Sequence, residues 1–296
     1  MDLHGILVID KPRGLTSHDV VARVRRLLKT KKVGHAGTLD PAAEGVLILA
    51  VGRATKLLSD LSAHSKRYAA HVVLGVGSVS GDVEGPAMLE DLSTGPSTHS
   101  EISAVLKCFT GDIEQVPPAH SAIKVGGQPL YRRARRGEDV DVPTRSVHIS
   151  GLTVVAYDYP NLFLDVECSA GTYIRSLARD LGSALGSSAY LHYLLRTRSG
   201  SFGLEDAWPL GDLEHGLSPE SFALYARHPS TMRCDQIALA LSPDATNAWY
   251  DGRPVAGSGR TAPTLAHAFL DDGSWLGTGI RMGKRDDWQP KLVVHA

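Results

Sequence analysis

The stretch Gly34-His35-Ala36-Gly37-Thr38-Leu39-Asp40-Pro41 constrains this chain more than any other. Two glycines three residues apart permit a tight turn, or the close approach of a ligand to the backbone. Pro41 has no N–H to donate and fixes its own φ, and it biases Asp40 toward an extended conformation. A few residues on, Val46-Leu47-Ile48-Leu49-Ala50-Val51 is a continuous apolar run of strand length, which suits a buried strand. The pattern predicts a carboxylate on a stiff loop beside a buried strand, a good position for chemistry. The plainer alternative is an Asx turn, in which Asp40 bonds only its own backbone. On the local residues alone, that turn is the commoner outcome.

Composition narrows the class. A chain of 296 residues is long for one compact core, so one large domain plus a small one is expected. Its 43% hydrophobic and 21% charged residues are the balance of a soluble globular protein. The apolar runs are too short to span a bilayer, and the N-terminus lacks a signal-peptide layout. The expected setting is therefore the cytoplasm, with no membrane partner. Cys108, Cys168 and Cys234 lie far apart, without metal-ligand spacing and without an even count for disulfides. That predicts reduced thiols and no metal site.

The net charge of -1 argues against a protein that blankets nucleic acid with charge, but the distribution is uneven. Between Lys11 and His35 stand Lys11, Arg13, Arg23, Arg25, Arg26, Lys29, Lys31 and Lys32 against the single acid Asp19. A second cluster holds Lys124, Arg132, Arg133, Arg135 and Arg136, while acids gather in 82–91 and 271–287. Two basic patches on a neutral protein fit a phosphate-backbone footprint on one face, and a solvated helix face explains them equally well.

Along the chain, Gly5 to Ile9 reads as a strand ending in the turn Asp10-Lys11-Pro12-Arg13-Gly14. Thr16 or Ser17 then caps a helix whose apolar face is Val20, Val21, Val24, Leu27 and Leu28. Arg53 to Leu61 reads as a second short helix, and Tyr68, Ala70, Val72 and Leu74 alternate as a half-buried strand. Gly75 to His99 reads as an exposed loop, after which Ser100 is the expected cap of a helix carrying Ile102, Val105, Leu106 and Phe109. Residues 124–145 look like a mobile basic arm. Val147 to Tyr157 and Leu162 to Ser169 pair as antiparallel strands about Asp158-Tyr159-Pro160-Asn161. Gly171-Thr172-Tyr173 leads into a helix with Ile174, Leu177, Ala178, Leu181 and Leu185 on one side, and residues 190–202 return as strand. Past residue 230 the texture becomes Ser/Pro/Asp-rich. There Asp271-Asp272-Gly273 joins two strand candidates into a hairpin within a small β-barrel-like unit.

Six segments, in order, carry a family resemblance: Gly5 to Val21, Val33 to Gly52, Lys66-Arg67-Tyr68, Gln115 to Gly127, Tyr131 to Gly137 and Gly171 to Gly182. Together they resemble the bacterial tRNA pseudouridine-55 synthases of the TruB type. The departures are His120 where tyrosine is common, Ser78 and Ser80 where threonine is usual, and Ala36 where the family varies. The resemblance implies an α+β fold: a central, mostly antiparallel sheet flanked by helices in residues 1–232. It implies a small β-rich PUA-like RNA-binding domain in 233–296, where the likeness is looser.

The implied activity is isomerisation of uridine 55 in the tRNA T-loop to pseudouridine, by a cytoplasmic monomer that binds the T-stem-loop. No cofactor or metal is implied. By resemblance Asp40 is the catalytic aspartate, and Arg175 keeps it ionised. Tyr68 stacks on the flipped base, Tyr173 and Leu194 contact the uridine, and His35 engages the T-loop. Lys11 and Pro12 support the catalytic loop. The arm with Lys124, Arg132, Arg133, Arg135 and Arg136 is the family's thumb over the RNA. Two other classes compete: an inactive tRNA-binding chaperone of the same fold, and an aspartate-dependent hydrolase. The hydrolase needs a second carboxylate, and the matched motifs offer none.

Overall fold

The apolar run at 46–51 lies at the heart of a ten-stranded sheet in a computed structural model of the chain. The structure describes residues 3–85, 87–89, 98–118, 124–125, 128–129, 142–232, 237–257, 265–282 and 287–295. The strands, in chain order, are β1 (Gly5–Lys11), β2 (Val33–Ala36), β3 (Glu44–Val51), β4 (Lys66–Leu74) and β5 (Gly111–Gln115). Then come β6 (Arg145–Asp158), β7 (Asn161–Cys168), β8 (Ala189–Ser199), β9 (Phe202–Gly203) and β10 (Trp208–Pro209). Their spatial order is β10-β1-β3-β8-β4-β7-β6-β5, with β2 added on β3 and β9 on β8. Among the described residues of this sheet, only β1–β10 and β3–β8 pair in parallel. This is the expected α+β arrangement with a mostly antiparallel sheet.

A strand without polar alternation needs cover on both faces, and β3 has it. Leu47, Leu49 and Val51 join Val20, Val21 and Val24 of helix α1 (Ser17–Leu27) in one core, while Val46, Ile48 and Ala50 meet Ala54, Leu57 and Leu61 in another. The last three come from a 3₁₀ turn (Gly52–Leu57) and α2 (Leu58–Ala63), two pieces where one helix was expected. Gly45 has φ +97, and a Cβ there would lie 2.3 Å from the Arg196 carbonyl oxygen. Only glycine lets β3 approach β8 so closely at the pair Arg196–Gly45.

Thr16 caps α1 in a capping box with Asp19, which leaves Ser17 buried. Helix α3 (His99–Cys108) is capped by Thr98 rather than Ser100, again with an acid, Glu101, three residues on. Helices α4 (Ile174–Ala184), α5 (Leu210–Gly216) and α6 (Phe222–Tyr225) complete this part. The 75–99 segment departs from the exposed loop expected of it. Val76–Ser78 pairs with Ala87–Leu89, and Asp82 between them is buried. Strand β5 adds to the elements expected. Of the arm, Lys124–Val125 pairs with Gln128–Pro129, and Arg132, Arg133, Arg135 and Arg136 lie outside the described residues.

The C-terminal part has its own five-stranded sheet: β11 (Ile237–Ala240), β12 (Val255–Ala256), β13 (Leu265–Phe269), β14 (Trp275–Met282) and β15 (Asp287–Val293), ordered β11-β13-β14-β15-β12. The β13–β14 hairpin turns where expected, with Gly273 at φ +83. An unforeseen helix, α7 (Pro243–Tyr250), starts with Ser242 as cap and Pro243 in its first turn. Trp249 and Trp288 fill this sheet's own core. Trp275 and Val294 instead join the core of Ile6, Val8 and Ile48 under the large sheet. Lys56 donates to the Val293 carbonyl at 2.8 Å, and Lys291 reaches Asp60 at 3.1 Å. No described helix is long and apolar enough to cross a membrane.

Trp275, 3% exposed at this junction, is expected to be costly to truncate. Trp275→Ala should lose about 3–5 kcal/mol in urea unfolding. A loss below about 1 kcal/mol would mean that the junction contributes little.

Candidate functional site

The predicted loop is rigid because chain on both sides holds it. The buried Ser17 hydroxyl accepts from Leu39 N at 2.8 Å and donates to Leu39 O at 3.1 Å. Gly14 N donates to the Pro41 carbonyl at 2.8 Å, and Ala43 N to the Asp40 carbonyl at 3.0 Å. The fully buried Lys11 ammonium donates to the carbonyls of Pro12 (2.9 Å), Leu15 (2.7 Å) and Pro41 (3.4 Å). Burial pulls its pKa down to about 8. Lys11 and Pro12 thus sit in the framework of the loop. Gly37, at φ +89, makes the bend.

A cavity of about 300 Å³ opens beside this loop, at the small end of the range for ligand sites. Asp40, Tyr68, Tyr173, Arg175 and Leu194 all line it. Asp40 lies deep in the cleft and keeps 39% of its side chain accessible through the mouth. Its Oδ2 is 3.0 Å from Arg175 Nη2. This ion pair is more than an Asx turn requires. Arg175, one residue into α4, is itself buried, and its Nη1 lies 3.5 Å from Asp82 Oδ2 and donates to Ser80 O at 3.1 Å. Burial raises the Asp40 pKa; Arg175 opposes that shift and Asp82 adds to it. The arginine therefore offsets the desolvation without cancelling it.

Tyr68 is buried on the inward face of β4. Burial raises its phenol pKa, and the positive charge of Arg196 acts against the shift. Tyr173 precedes α4. Its backbone N donates to Gln115 Oε1 at 2.8 Å, and its carbonyl accepts from Gln115 Nε2 at 3.1 Å. The Arg145 guanidinium lies 6.0 Å from its ring centroid. Leu194 is half-buried on β8, paired with Ala70. His35 is the outlier. It lies on β2, off the cavity wall, with its ring edge-on to His18 at 5.1 Å and a buried Nδ1 without a partner. Burial, then His18 and Arg196, push its pKa down to about 4, so it is neutral at pH 7.

Three polar residues of the site escaped sequence reasoning. Asp82 belongs to an acid-rich stretch that reads as surface, yet it is 5% exposed, accepts from Glu84 N at 3.0 Å and is hydrogen-bonded to Ser80 Oγ. It is a second carboxylate near the first, but its oxygens are taken up by Arg175 and the loop. Lys66 and Arg196 also line the cavity. Lys66 had a usable signal, since it shares the inward parity of Tyr68 two residues on. Arg196 is displaced from simple alternation by a register shift between Leu191 and Tyr193.

Residues 25–174 match the family described as TruB family pseudouridylate synthase (N terminal domain). A protein of Gloeobacter violaceus named tRNA pseudouridine synthase B is 45% identical over 86% of this chain and 87% of its own length. One of the same name from Mycobacterium leprae is 45% identical over 86% of this chain and 81% of its own. Among solved structures, an H/ACA RNP bound to a substrate RNA containing 2′-deoxyuridine matches with a TM-score of 0.72 at 25% identity, over 99% of this chain and 85% of that one. A Cbf5-Nop10-Gar1 complex matches with the same TM-score at 27% identity, over 99% and 83%. The chain belongs to the TruB family of pseudouridylate synthases.

A carboxylate raised above its usual range ionises later, so activity that needs it should fall as pH drops through that raised value. Asp82→Asn removes a negative neighbour and leaves Arg175 to Asp40 alone. Both effects favour the ionised form, so the acid limb of the single-turnover pH profile should move to lower pH. An unmoved limb would show that burial alone sets it.

Proposed function

We propose that this chain isomerises uridine 55 in the T-loop of tRNA to pseudouridine, with Asp40 as the reacting carboxylate after the base is flipped out. The observation that carries this reading is the Asp40–Arg175 pair at 3.0 Å in a cavity also lined by Tyr68 and Tyr173. The shared name of the relatives supports tRNA as the substrate, and the neighbour bound to a substrate RNA supports RNA as the occupant of the cleft.

In this reaction the bond from uracil N1 to the sugar breaks, the ring turns, and carbon 5 rejoins the same sugar carbon. The carbon 5 proton moves to N1, so no atom is gained or lost overall. Asp40 can add to the ring, attack the sugar carbon, or take a proton from the sugar. Extrusion of a base costs a few kcal/mol, and stacking on Tyr68 returns about 1–3 kcal/mol. Arg175 holds the carboxylate ionised against its burial. An intact acid and its guanidinium partner favour a working enzyme over an inactive chaperone. Residues 1–232 form the catalytic part and 233–296 a PUA-like RNA-binding part, and the chain acts as a monomer on the T-stem-loop. His35 meets the loop of the RNA from β2, and the basic arm folds over its backbone.

Asp40→Asn should abolish pseudouridine formation, read as tritium release from [5-³H]uridine tRNA, while tRNA affinity largely survives. Near-normal turnover would assign the chemistry to another group. Replacing Arg132, Arg133, Arg135 and Arg136 with glutamine should weaken tRNA binding and flatten its dependence on salt, by about 0.7–0.9 in log–log slope for each phosphate that is no longer neutralised. An unchanged slope would remove the arm from the interface.

A further inference from the structure

The wall of the cavity carries two cations to which the reaction as described gives no task. Lys66 is 5% exposed and Arg196 1%. Lys66 lies on the face of β4 that carries Tyr68, and Arg196 on β8 is the register partner of Tyr68. The two converge over Gly37, where a Cβ would lie 3.6 Å from Arg196 Nη1 and 3.8 Å from Lys66 Cε.

Their hydrogen bonds run chiefly to backbone carbonyls. Lys66 Nζ donates to Ser62 and His64, while Arg196 donates from Nε to Val46 at 2.6 Å and from Nη2 to Gly37 at 3.1 Å. Among the described residues, neither cation has a carboxylate within ion-pair distance, and the Asp40 carboxylate pairs with Arg175. Carbonyls can be satisfied by neutral donors. Two like charges buried side by side cost free energy until an anion joins them. Lys66 and Arg196 thus form a site charged for an anion.

We propose that Lys66 and Arg196 form an anion subsite that holds the negative charge appearing on the uracil ring when its bond to the sugar breaks. This rests on the uridine-isomerisation reading. When the bond from N1 to the sugar breaks, its electron pair stays with the base and spreads over N1 and the two ring oxygens. The sugar carbon is met by the Asp40 carboxylate, or its neighbour gives a proton to that carboxylate. Carbon 5 then gives an electron pair to the sugar carbon, as the bond to the carboxylate breaks or the neighbouring carbon takes its proton back. The carbon 5 proton passes to N1, which leaves the ring neutral. If Asp40 instead adds to ring carbon 6, the electron pair moves onto the carbon 4 oxygen, one of the same two. Donors aimed at a charge that exists only in mid-reaction speed the chemical step without tightening substrate binding.

Protonation makes the subsite testable. Burial draws the Lys66 pKa down to about 8, Arg196 on β8 adds to that, and the Cys168 thiol on β7 acts the other way. That thiol is itself pushed up to about 11 by burial, so it is neutral. Asp40, Tyr68 and Arg175 share the cavity with Lys66. The ammonium charge is present below pH 8 and is lost as pH rises through it.

The test is single-turnover isomerisation of a tRNA transcript at saturating full-length enzyme, with tRNA affinity and urea stability measured in parallel. Lys66→Gln keeps donors for the carbonyls and removes the charge. Its rate should fall about 10²-fold, while affinity stays within about twofold of wild type. Lys66→Arg should recover most of that rate and hold it above the pH near 8 at which the wild-type enzyme declines. Full rate in Lys66→Gln would overturn the subsite. So would weakened affinity with an unchanged saturating rate, which would assign the cations to a backbone phosphate. Should Lys66→Gln fail to fold, coincident alkaline limbs for wild type and Lys66→Arg would overturn it as well. A wild-type chain that forms no pseudouridine in tRNA would instead refute the functional reading, whatever Lys66 does.

Discussion

The guanidinium of Arg175, buried between the carboxylates of Asp40 and Asp82, is the interaction on which the site depends. A desolvated cation is tolerable only with partners close at hand, and removal of one partner from such a group commonly costs about 3–5 kcal/mol. The groups it joins come from three separate stretches of chain: the loop before β3, the segment after β4, and the start of α4. One charge therefore ties together segments that the backbone alone would leave independent. It also sets the state of Asp40, which feels burial and Asp82 on one side and Arg175 on the other.

The sheet converts that electrostatic knot into a fixed geometry. β3 is enclosed on both faces and cannot shift register without exposing a row of aliphatic side chains. Gly45 brings it against β8, so Leu194 and Arg196 are carried to the same cavity as the Asp40 loop. Ser17 and Lys11 then pin the loop from the other side through backbone groups. A carboxylate held this way loses little freedom when a substrate arrives, which is how preorganised sites lower barriers.

Sequence periodicity revealed the strands and helices whose apolar faces repeat regularly, and the Gly/Pro punctuation around Asp40 announced a stiff loop. What it concealed follows from how charge is read. Asp82 looked like surface because acids seldom lie buried without a partner, and its partner, Arg175, stands far away in sequence. Lys66 showed its inward parity beside Tyr68, while Arg196 was hidden by the register shift in β8. The cap at Thr98 was visible in principle, since Glu101 follows at the spacing of a capping box. That Trp275 and Val294 join the core of the large sheet could not be read, because alternation says which residues turn inward but not what they meet.

That shared core has a mechanical consequence. A module that hangs on a linker can swing to accommodate ligands of many lengths. A small sheet whose tryptophan is wedged under the large one, with a lysine crossing in each direction, is braced against such swinging. An RNA that touches both would meet them at a nearly constant span.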